Sequence, residues 1–435
     1  MANGNQGAGY EVGGSELVPG WTLARLADIC SKPQYGWTTS ARGSGDGLHL
    51  LRTTDISSGQ IDWATVPRCD QDPPEPQKFL LRPGDIVVSR AGSVGLSCLV
   101  GQCPPAVFAS YLIRLRPRDK VDARFIARFL QSPDYWRQVS EGTSGNSIPN
   151  FNASKLADIT VPLPPLAEQR RIGAKIEELL AHVNAARKRI ARVPAILKRF
   201  RQSVLAAACS GALVPEQRDR EATTLGELSA RITSGSRDWK PFYTPEGPST
   251  FVLTQNIRPL RFDPKRYQGV APPPDHRDCE RSRIMKDDLL VTIVGANTGD
   301  SCRIALEFTD YFVCQSVALV RLRDRRHSRF LELWLNSPLH GLRQLAERVY
   351  GEGRPHLGLA DLGDVEVAIP GMDEQAEIVR RAEAFLALAD TIEQRVDAAT
   401  ARAERLTQSI LAKAFRGELV PTTGDLSGAM VSDGD

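Results

Sequence analysis

The 435-residue chain has few of the residues that build metal, redox or cofactor sites. Its eight cysteines form no CxxC pair, and none of its six histidines stands at ligand spacing to a cysteine or an acid, so we expect no metal site. No apolar run is long enough to cross a bilayer, and the glycine-rich N-terminal tail lacks the apolar core of a signal peptide. The sequence therefore predicts a cytoplasmic protein without a membrane partner.

Recognisable catalytic motifs are missing as well. The tetrapeptide DPPE at Asp72 is similar to the motif with which amino-methyltransferases hold a base amine, but Glu75 stands where the stacking aromatic belongs. The glycine-rich segments at Gly43 and Gly295 lack the lysine and hydroxyl residue of a phosphate-binding loop. No nuclease-like set of acids and a lysine stands out. We therefore expect no catalytic residues and interpret the chain as a binding subunit.

What the chain has instead is an internal repeat. LPPLAEQRRI at Leu163 returns as IPGMDEQAEI at Ile369, and CSGALVP at Cys209 returns as FRGELVP at Phe415, both at an offset of 206 residues (369 minus 163 and 415 minus 209). Weaker matches extend the repeat upstream over nearly the whole chain. Because the period is far longer than that of a solenoid, it indicates a duplicated domain of about 150 residues followed by a segment of fixed length.

That segment carries an apolar heptad repeat in both copies. Its steps of four and three, held over more than four heptads, are typical of a coiled-coil helix. Gly211 and Gly417 stand where C-cap glycines are expected, and Pro194 predicts a bend in the first helix only. The predicted seam consists of Ile172, Ile176, Leu179, Val183, Ile190, Leu197 and Phe200 in the first helix and of Ile378, Phe385, Ile392, Val396, Leu406 and Ile410 in the second.

The modules that precede the helices have a mixed pattern. β-branched runs at Asp85 and Leu289 predict strands that meet glycine turns, and the segments at Phe125 and Phe330 predict one amphipathic helix per module. The predicted fold class is therefore α+β. The predicted boundaries are a disordered tail at 1–16, the first module at 17–162, the first helix at 163–214, the second module at 215–368, the second helix at 369–421 and a disordered tail at 422–435.

The connection between the copies favours antiparallel packing of the two helices. In a parallel pair the second module would have to return along the first helix, about 48 Å for about 33 residues at about 1.5 Å each. An antiparallel coiled coil needs no return and acquires pseudo-twofold symmetry, with one module at each end. Proteins that read two DNA half-sites about 34–36 Å apart have this geometry. Because the modules differ in sequence, we expect the half-sites to differ.

The boxes at the start and end of the helices also carry a family resemblance. PLPPLAEQRRI, SGALVP, RGELVP and their duplication resemble the specificity subunit of Type I restriction-modification systems over residues 17–422. The resemblance implies that each module is a target recognition domain for half of an asymmetric, bipartite sequence in double-stranded DNA. It implies that the helices set the gap and dock two methyltransferase subunits, and that restriction (endonuclease and translocase) subunits join the complex. Gly371 replaces the second proline of the second box, which leaves the start of that helix open.

The resemblance also assigns the cofactors. It implies S-adenosylmethionine, ATP and Mg for the partner subunits and none for this chain. Two other functions remain open: a specificity subunit for a related system with a fused nuclease-methyltransferase partner, and a coiled-coil scaffold with two protein-binding modules. The genes next to this one would distinguish the related system with a fused partner from a Type I system. DNA methylation that does not depend on the chain would indicate the scaffold function.

Polar residues in loops matched between the modules are the predicted DNA contacts, because such side chains read bases and hold phosphates. They form four pairs of loops. The first pair holds Tyr35, Trp37, Thr38 and Arg42 in the first module and Ser236, Arg237 and Lys240 in the second, and the second pair holds Arg52, Thr53 and Thr54 with Thr254, Gln255 and Asn256. The third pair holds Arg90 and Ser93 with Asn297 and Thr298, and the fourth holds Asn146 and Asn150 with Arg354 and His356. Each could equally belong to a solvated turn. Trp37 and Trp239 could stack on a base or pack in a core.

Charge is unevenly distributed between the helices. The chain carries +3, yet residues 166–210 hold ten Lys and Arg against three acids, and residues 372–417 hold seven against eight. The rest of the chain is thus close to −3, which is little for the phosphate neutralisation that dominates DNA affinity. We therefore expect the isolated chain to bind DNA weakly.

Overall fold

The computed structural model describes residues 17–43, 45–57, 59–143, 151–214, 220–235, 237–265, 268–273 and 275–421. The chain divides into two compact units. The first unit comprises Met1–Ile190 with Ala398–Asp435, and the second comprises Ala191–Asp397. Each unit therefore holds one module and a segment of each long helix. The tails predicted at 1–16 and 422–435 lie outside the described residues.

In the part of the first unit that the structure describes, a module of ten strands and five short helices leads into a long helix. The strands are β1 Thr22–Arg25, β2 Gln34–Tyr35, β3 Ala41–Arg42, β4 His49–Leu51, β5 Arg68–Cys69, β6 Ile86–Ser89, β7 Ser97–Leu99, β8 Ala106–Phe108, β9 Leu112–Leu115 and β10 Thr160–Leu163. The helices are α1 Leu26–Ile29, α2 Pro76–Phe79, α3 Ala123–Phe129, α4 Pro133–Thr143, α5 Ala153–Asp158 and the long α6 Leu166–Ile190, with a 3-10 turn at Thr53–Ile56.

The second unit begins with helix α7 Val193–Ser210. Its strands are β11 Glu221–Thr224, β12 Ser229–Ser234, β13 Ser249–Val252, β14 Ile257–Arg258, β15 Arg261–Phe262, β16 Gln268–Val270, β17 Leu289–Thr292, β18 Ser301–Arg303, β19 Tyr311–Val313, β20 Val317–Leu322 and β21 Glu366–Ile369. Its helices are α8 Leu225–Leu228, α9 Arg277–Ser282, α10 Ser328–Leu335, α11 Gly341–Arg348 and α12 Leu359–Gly363, with 3-10 turns at Lys240–Phe242, Thr254–Asn256 and Arg325–His327. Helix α13 Met372–Phe415 begins in this unit and ends in the first.

The two modules repeat one strand order. An antiparallel pair, β1 with β10 and β11 with β21, joins the start of each module to its end. A four-stranded antiparallel sheet follows the order β2-β9-β6-β7 in the first module and β12-β20-β17-β18 in the second. A further sheet in each contains one parallel pair, β4 with β8 and β13 with β19. The predicted strands at Asp85 and Leu289 and the predicted helices at Phe125 and Phe330 are confirmed, and the fold class is α+β.

The same buried ion pair holds the central sheet in each module. Arg116 donates through Nε to the buried Asp85 at 2.6 Å, and Arg321 donates through Nε to the buried Asp288 at 2.9 Å. Each carboxylate also accepts the N–H of the residue three positions before it. Because both carboxylates are fully hydrogen-bonded, burial of these charges is compensated.

The first long helix is interrupted and the second is continuous. Helix α6 ends at Ile190, and α7 begins at Val193 with Pro194 in its first turn, where the missing N–H needs no partner. Helix α13 runs unbroken for 44 residues. The bend predicted for the first helix alone is therefore confirmed. Among the described residues, no helix is both long enough and apolar enough to cross a membrane.

A glutamine fixes the start of each long helix. Gln169 donates through Nε2 to the Pro164 carbonyl at 2.8 Å and accepts the N–H of Asp122, the N-cap residue of α3, at 2.8 Å. Gln375 donates to the Pro370 carbonyl at 2.6 Å, and its Oε1 lies 3.1 Å from Nδ1 of a histidine just before α10. Despite Gly371, α13 begins at the position that corresponds to the start of α6. The glutamine of the repeated box thus ties the long helix to its module.

The ends of the helices agree with the predicted caps. Gly211 caps α7 with a φ of 85°, in the left-handed region. After α13, Gly417 has a φ of 76°, and the N–H groups of Gly417 and Glu418 donate to the carbonyls of Ala414 and Lys413. This pair of hydrogen bonds is a Schellman motif, which favours glycine because side chains rarely adopt a positive φ.

Helix segments pack antiparallel within each unit. In the first, Arg171 near the start of α6 donates to the carbonyl of Pro421, beyond the end of α13, at 2.9 Å. In the second, Arg381 near the start of α13 donates to the carbonyl of Leu213, beyond the end of α7, at 2.8 Å. Start meets end in both units, as the predicted antiparallel coiled coil requires.

The predicted seam needs one correction. Ile172, Ile176 and Ile378 are fully buried, and Phe385, although 42% exposed, has its ring 6.2 Å from that of Phe200 across the seam. Leu406, by contrast, is 48% exposed. Near their ends the long helices pack against the modules as well as against each other. Burial in α13 therefore shifts to residues that face α3, such as Phe415, whose ring lies 5.1 Å from that of Phe125. The heptad pattern predicts burial only where a long helix contacts the other helix and no part of a module.

Candidate nucleic-acid interface

The turn after the third strand of the central sheet occupies the same place in both modules. Gly95 donates its N–H to the Ser89 carbonyl at the end of β6, and Gly299 donates to the Thr292 carbonyl at the end of β17. Both glycines have a φ near 90°, which a tight reversal of the chain requires. The loops predicted to contact DNA can therefore be compared turn by turn.

In the first module this turn presents a cation over an aromatic ring. The guanidinium carbon of Arg90 lies 4.8 Å from the centre of the Tyr35 ring, a cation-π contact between two predicted DNA loops. The Tyr35 hydroxyl accepts the N–H of Ala153 at 2.9 Å. Within the described part of the chain, Nε of Arg90 is buried and has no hydrogen-bond partner. The structure thus brings the first and third predicted loops together around Arg90.

An exposed tyrosine beside this pair was missed by the sequence reasoning. Tyr111 is 62% exposed, and its carbonyl accepts the N–H of Arg90 at 2.9 Å. In the second module Ile293 and Ser316 make the corresponding backbone hydrogen bond, also at 2.9 Å. Sequence periodicity gives no signal for Tyr111, because it precedes a strand whose four residues are all buried.

In the second module the turn is joined to a hairpin. The carbonyl of Pro355 accepts the N–H of Gly295 at 3.0 Å, and Oγ1 of Thr298 donates to the carbonyl of Gly295 at 2.7 Å. Across the hairpin, the rings of Tyr350 and His356 stack with their centres 5.9 Å apart. Tyr350 is 60% exposed and is a second aromatic that the sequence reasoning missed. The third and fourth predicted loops thus meet here.

The second pair of predicted loops is mainly engaged in local structure. Arg52 donates to the Asp55 carboxylate at 2.9 Å, so its charge is already paired. Asn256 is 1% exposed, accepts the N–H of Leu253 at 2.9 Å and donates to the carbonyl of Asp263 at 2.8 Å. The structure therefore corrects the assignment of Asn256 as a base-reading residue: its amide supports the turn, while its neighbour Gln255 is exposed.

The tryptophans of the first pair of loops, Trp37 and Trp239, both have packing roles. Trp37 is half-buried, donates to the carbonyl of Gln71 at 3.0 Å and packs its ring against Phe79. Trp239 is fully buried and stacks on Phe251 with ring centres 5.3 Å apart. For Trp239 the packing alternative therefore holds.

The other predicted contacts lie mainly at the surface. Thr38, Arg42, Thr54, Ser93, Arg237, Lys240, Asn297 and Arg354 are exposed, while Thr53, Thr254 and His356 are intermediate. Asn146, Asn150 and Ser236 lie outside the described residues. DNA contact by any of these side chains stays a prediction.

Burial controls the titration of the groups near these turns. The pKa of Cys98 is raised to about 11, and that of the corresponding Cys302 is raised further, because both thiols are buried. Neither thiol is a thiolate near neutral pH, so neither is an activated nucleophile. Burial also raises the pKa of Asp300 beside the second turn, against the opposing effect of the Arg258 charge. The turns thus offer hydrogen bonds and charge rather than nucleophiles.

Known proteins similar to this chain share one description. The family described as the Type I restriction modification DNA specificity domain matches residues 47–195. The chain is 33% identical over 410 residues to the Type I restriction enzyme EcoBI specificity subunit of Escherichia coli, with 86% of this chain and 80% of that protein covered. It is 30% identical over 438 residues to the EcoKI specificity subunit of Escherichia coli strain K12, with 93% and 90% covered.

Solved structures share the fold. A chain from a study of complex assembly and conformational transition of the type I R-M system matches with a TM-score of 0.73 at 21% identity, covering 93% of this chain and 100% of that one. The HsdS subunit from Thermoanaerobacter tengcongensis matches with a TM-score of 0.55 at 22% identity, covering 93% and 99%.

Proposed function

Because this chain belongs to the family of Type I restriction enzyme specificity subunits, which are non-catalytic DNA-recognition subunits, we propose that its two modules read the two unlike halves of one bipartite DNA target. One observation carries the proposal. At the corresponding turns of two modules with the same strand order, Arg90 and Tyr111 stand in the first where Ile293 and Ser316 stand in the second. Different side chains on the same backbone turn favour contacts with different bases.

The chemistry of each turn supports a distinct preference. A guanidinium held over a tyrosine ring, as in Arg90 on Tyr35, presents donors to guanine or phosphate. The second turn presents the exposed amide of Asn297 and, on the adjoining hairpin, the exposed Arg354. Asparagine pairs best with adenine. The two half-sites are therefore expected to differ in base composition as well as in order.

The long helices are the proposed binding surface for two methyltransferase subunits. The segments of the second unit leave apolar side chains in solvent, with Ile196 at 56% and Leu388 at 52% exposed. Exposed apolar residues on a two-helix spacer are typical of a protein-binding surface. Restriction subunits would join through this assembly, and S-adenosylmethionine, ATP and Mg would be bound by the partner subunits, in the cytoplasm.

A partner requirement also follows from charge. Outside the two long helices the chain is close to −3, although phosphate neutralisation supplies much of DNA affinity. The isolated chain is expected to bind its target weakly, and the complex with methyltransferase subunits is expected to bind tightly. Fluorescence anisotropy with the same duplex, with and without the partner, measures this difference. Nanomolar binding by the isolated chain at physiological salt would contradict the requirement.

The function itself is tested by methylation. The chain would be expressed with its neighbouring methyltransferase, beside a control that lacks the chain, and the host DNA read by single-molecule sequencing. A new N6-methyladenine motif with two unlike halves and a fixed gap is expected only when the chain is present. A soluble complex that adds no motif would favour the scaffold function, whereas a motif made with a fused nuclease-methyltransferase partner would favour the related system.

A further inference from the structure

A cleft of about 690 Å³ lies in the first unit between the module and its segments of the long helices. Three cations line it: Arg128 at the end of α3, and Arg187 and Lys188 near the end of α6. None of its described lining residues is an acid. The cleft is therefore a recess with positive charge on two walls.

These cations are not paired within the described residues. Arg128 donates to the side-chain oxygen of Gln131 at 3.1 Å, a neutral partner. No described carboxylate lies within ion-pair distance of Arg128, Arg187 or Lys188. Three like charges around one recess repel one another, and an anion between them removes that repulsion. Guanidinium groups also match the geometry of phosphate oxygens.

The cleft opens beside the loops proposed to read DNA. Ile56 and Ser57, which line it, come just after the predicted contacts Thr53 and Thr54, separated from them by Asp55, which is paired with Arg52. On another side, the lining residue Leu96 directly follows the Gly95 turn that positions Arg90. A duplex bound to these loops therefore passes next to the cationic recess. This continuity favours DNA over an acidic protein segment as the occupant.

We propose that Arg128, Arg187 and Lys188 bind backbone phosphates of the duplex next to the half-site read by the first module, an inference that rests on the proposed function. The spacer helix α6 is then part of the DNA interface in addition to setting the gap. Phosphate contacts position a protein without reading sequence. The recess thus contributes affinity and not the choice of bases.

The second unit has no such set of cations, because Leu333, Glu393 and Gln394 stand where Arg128, Arg187 and Lys188 stand in the first. A different cleft of the second unit, beside β18 and α10, has most of its charge neutralised. It has a volume of about 320 Å³ and is lined by Arg261, Arg303 and Arg329. Arg303 forms an ion pair with Asp287 at 2.6 Å, and Arg329 forms one with Glu383 of α13 at 2.6 Å. Two of the three cations are therefore already paired. The phosphate site is proposed for the first unit alone.

The test uses the complex with methyltransferase subunits and a duplex that carries the methylated motif. The double variant Arg187→Gln with Lys188→Gln removes two charges and keeps good helix formers. Binding is measured between about 50 and 200 mM salt, where each phosphate contact contributes about 0.9 to the slope of log K against log salt. We expect the slope to fall by about 1.8 in magnitude, for two contacts, with the methylated motif unchanged.

A matched control removes two charges elsewhere in the same unit. Arg402→Gln with Lys413→Gln changes exposed residues of α13 that do not line the cleft. This control should keep the wild-type slope, and Arg187→Lys with wild-type Lys188 should keep it as well. Thermal melts of all variants confirm that the complexes are folded.

Three results would overturn the inference in different ways. A wild-type slope in the double variant would remove the phosphate site. Loss of a methyltransferase subunit from the double variant, seen by native mass spectrometry with the slope unchanged, would assign the recess to an acidic segment of the partner protein. Absence of sequence-specific binding by the wild-type complex would instead overturn the proposed function, and the inference with it.

Discussion

The two modules share a strand order, yet different residues pack between the central sheet and the amphipathic helix. We call this layer, between β7 and α3 or between β18 and α10, the wall of the module. The first places Leu99 and the buried Ala127 there, whereas the second places Arg303 and the buried Glu332 at the corresponding positions. In the second, Glu332 accepts the N–H of Arg303 at 2.8 Å and is also paired with Arg329.

This difference shows that the fold accepts either kind of wall, whereas the ability of nearby cations to bind an anion depends on which kind is present. Both walls are compatible with the same sheet, because neither an apolar pair nor a cluster in which each charge has an ionic partner leaves an unpaired buried charge. In the second module the acids already pair with the arginines, so these arginines are not available to bind another anion. The arginine and lysine around the first cleft have no such acids, so they can bind an external phosphate.

The largest effect is expected from breaking the ionic wall. Glu332→Ala leaves Arg303 and Arg329 without their shared carboxylate and should destabilise the second unit by about 3 kcal/mol, as for other buried ion pairs that lose one partner. Hydrogen exchange followed by mass spectrometry measures the change in peptides of α10.

The reverse substitution sharpens the same comparison. Ala127→Glu buries a carboxylate beside Leu99 and should destabilise the first unit by about 2 kcal/mol, while adding Leu99→Arg should restore part of that loss. If Ala127→Glu leaves the exchange of α3 peptides unchanged, the two walls are more tolerant of charge than the contacts indicate.

A smaller effect is expected at the reading turns. Arg90→Ala removes the guanidinium held over Tyr35 and should weaken discrimination in one half of the methylated motif by on the order of tenfold, about 1.4 kcal/mol. Asn297→Ala should act to a similar extent on the other half only. Methylation sequencing of the two single variants measures this. Relaxation of both halves by either variant would contradict the assignment of one half-site to each module.

The smallest effect is expected at the helix ends. Gly211→Ala places a side chain at a φ of 85° and should cost about 1 kcal/mol. Gly417→Ala should cost more than this, because its Cβ would lie 2.5 Å from Cγ2 of Val18 in addition to the strained φ of 76°. The midpoints of urea unfolding for the two variants provide the comparison, and equal shifts would show that the Val18 contact relaxes freely.

The repeat predicted more of this molecule than any single motif. The duplicated boxes gave both long helices, and Pro194 gave the interruption of the first, since helix starts, caps and prolines act through neighbouring residues. The antiparallel pairing followed from the length of the chain between the copies. The strands at Asp85 and Leu289 were also predicted, because β-branched runs between glycine turns are local signals.

The sequence predicted the DNA-contacting residues less well than it predicted the helices and strands. Polar loop residues matched between the modules included Arg90 and Asn297 at the turns but also Asn256, which the structure buries. Spacing along the chain does not reveal whether an amide faces solvent or supports its own turn. Tyr111 and Tyr350 were missed for the same reason, because the exposure of an aromatic depends on what packs against it.

The sequence by itself determined the duplication, the presence and place of the long helices and the α+β class, all of which follow from interactions between residues close in the chain or from direct comparison of its halves. The tertiary structure alone decided which cations have partners. Arg329 meets Glu383 across 54 residues, whereas Arg187 and Lys188 line one cleft with Arg128, and no described residue of that lining is an acid. Electrostatic pairing depends on distance in space, and the order of residues does not encode that distance directly.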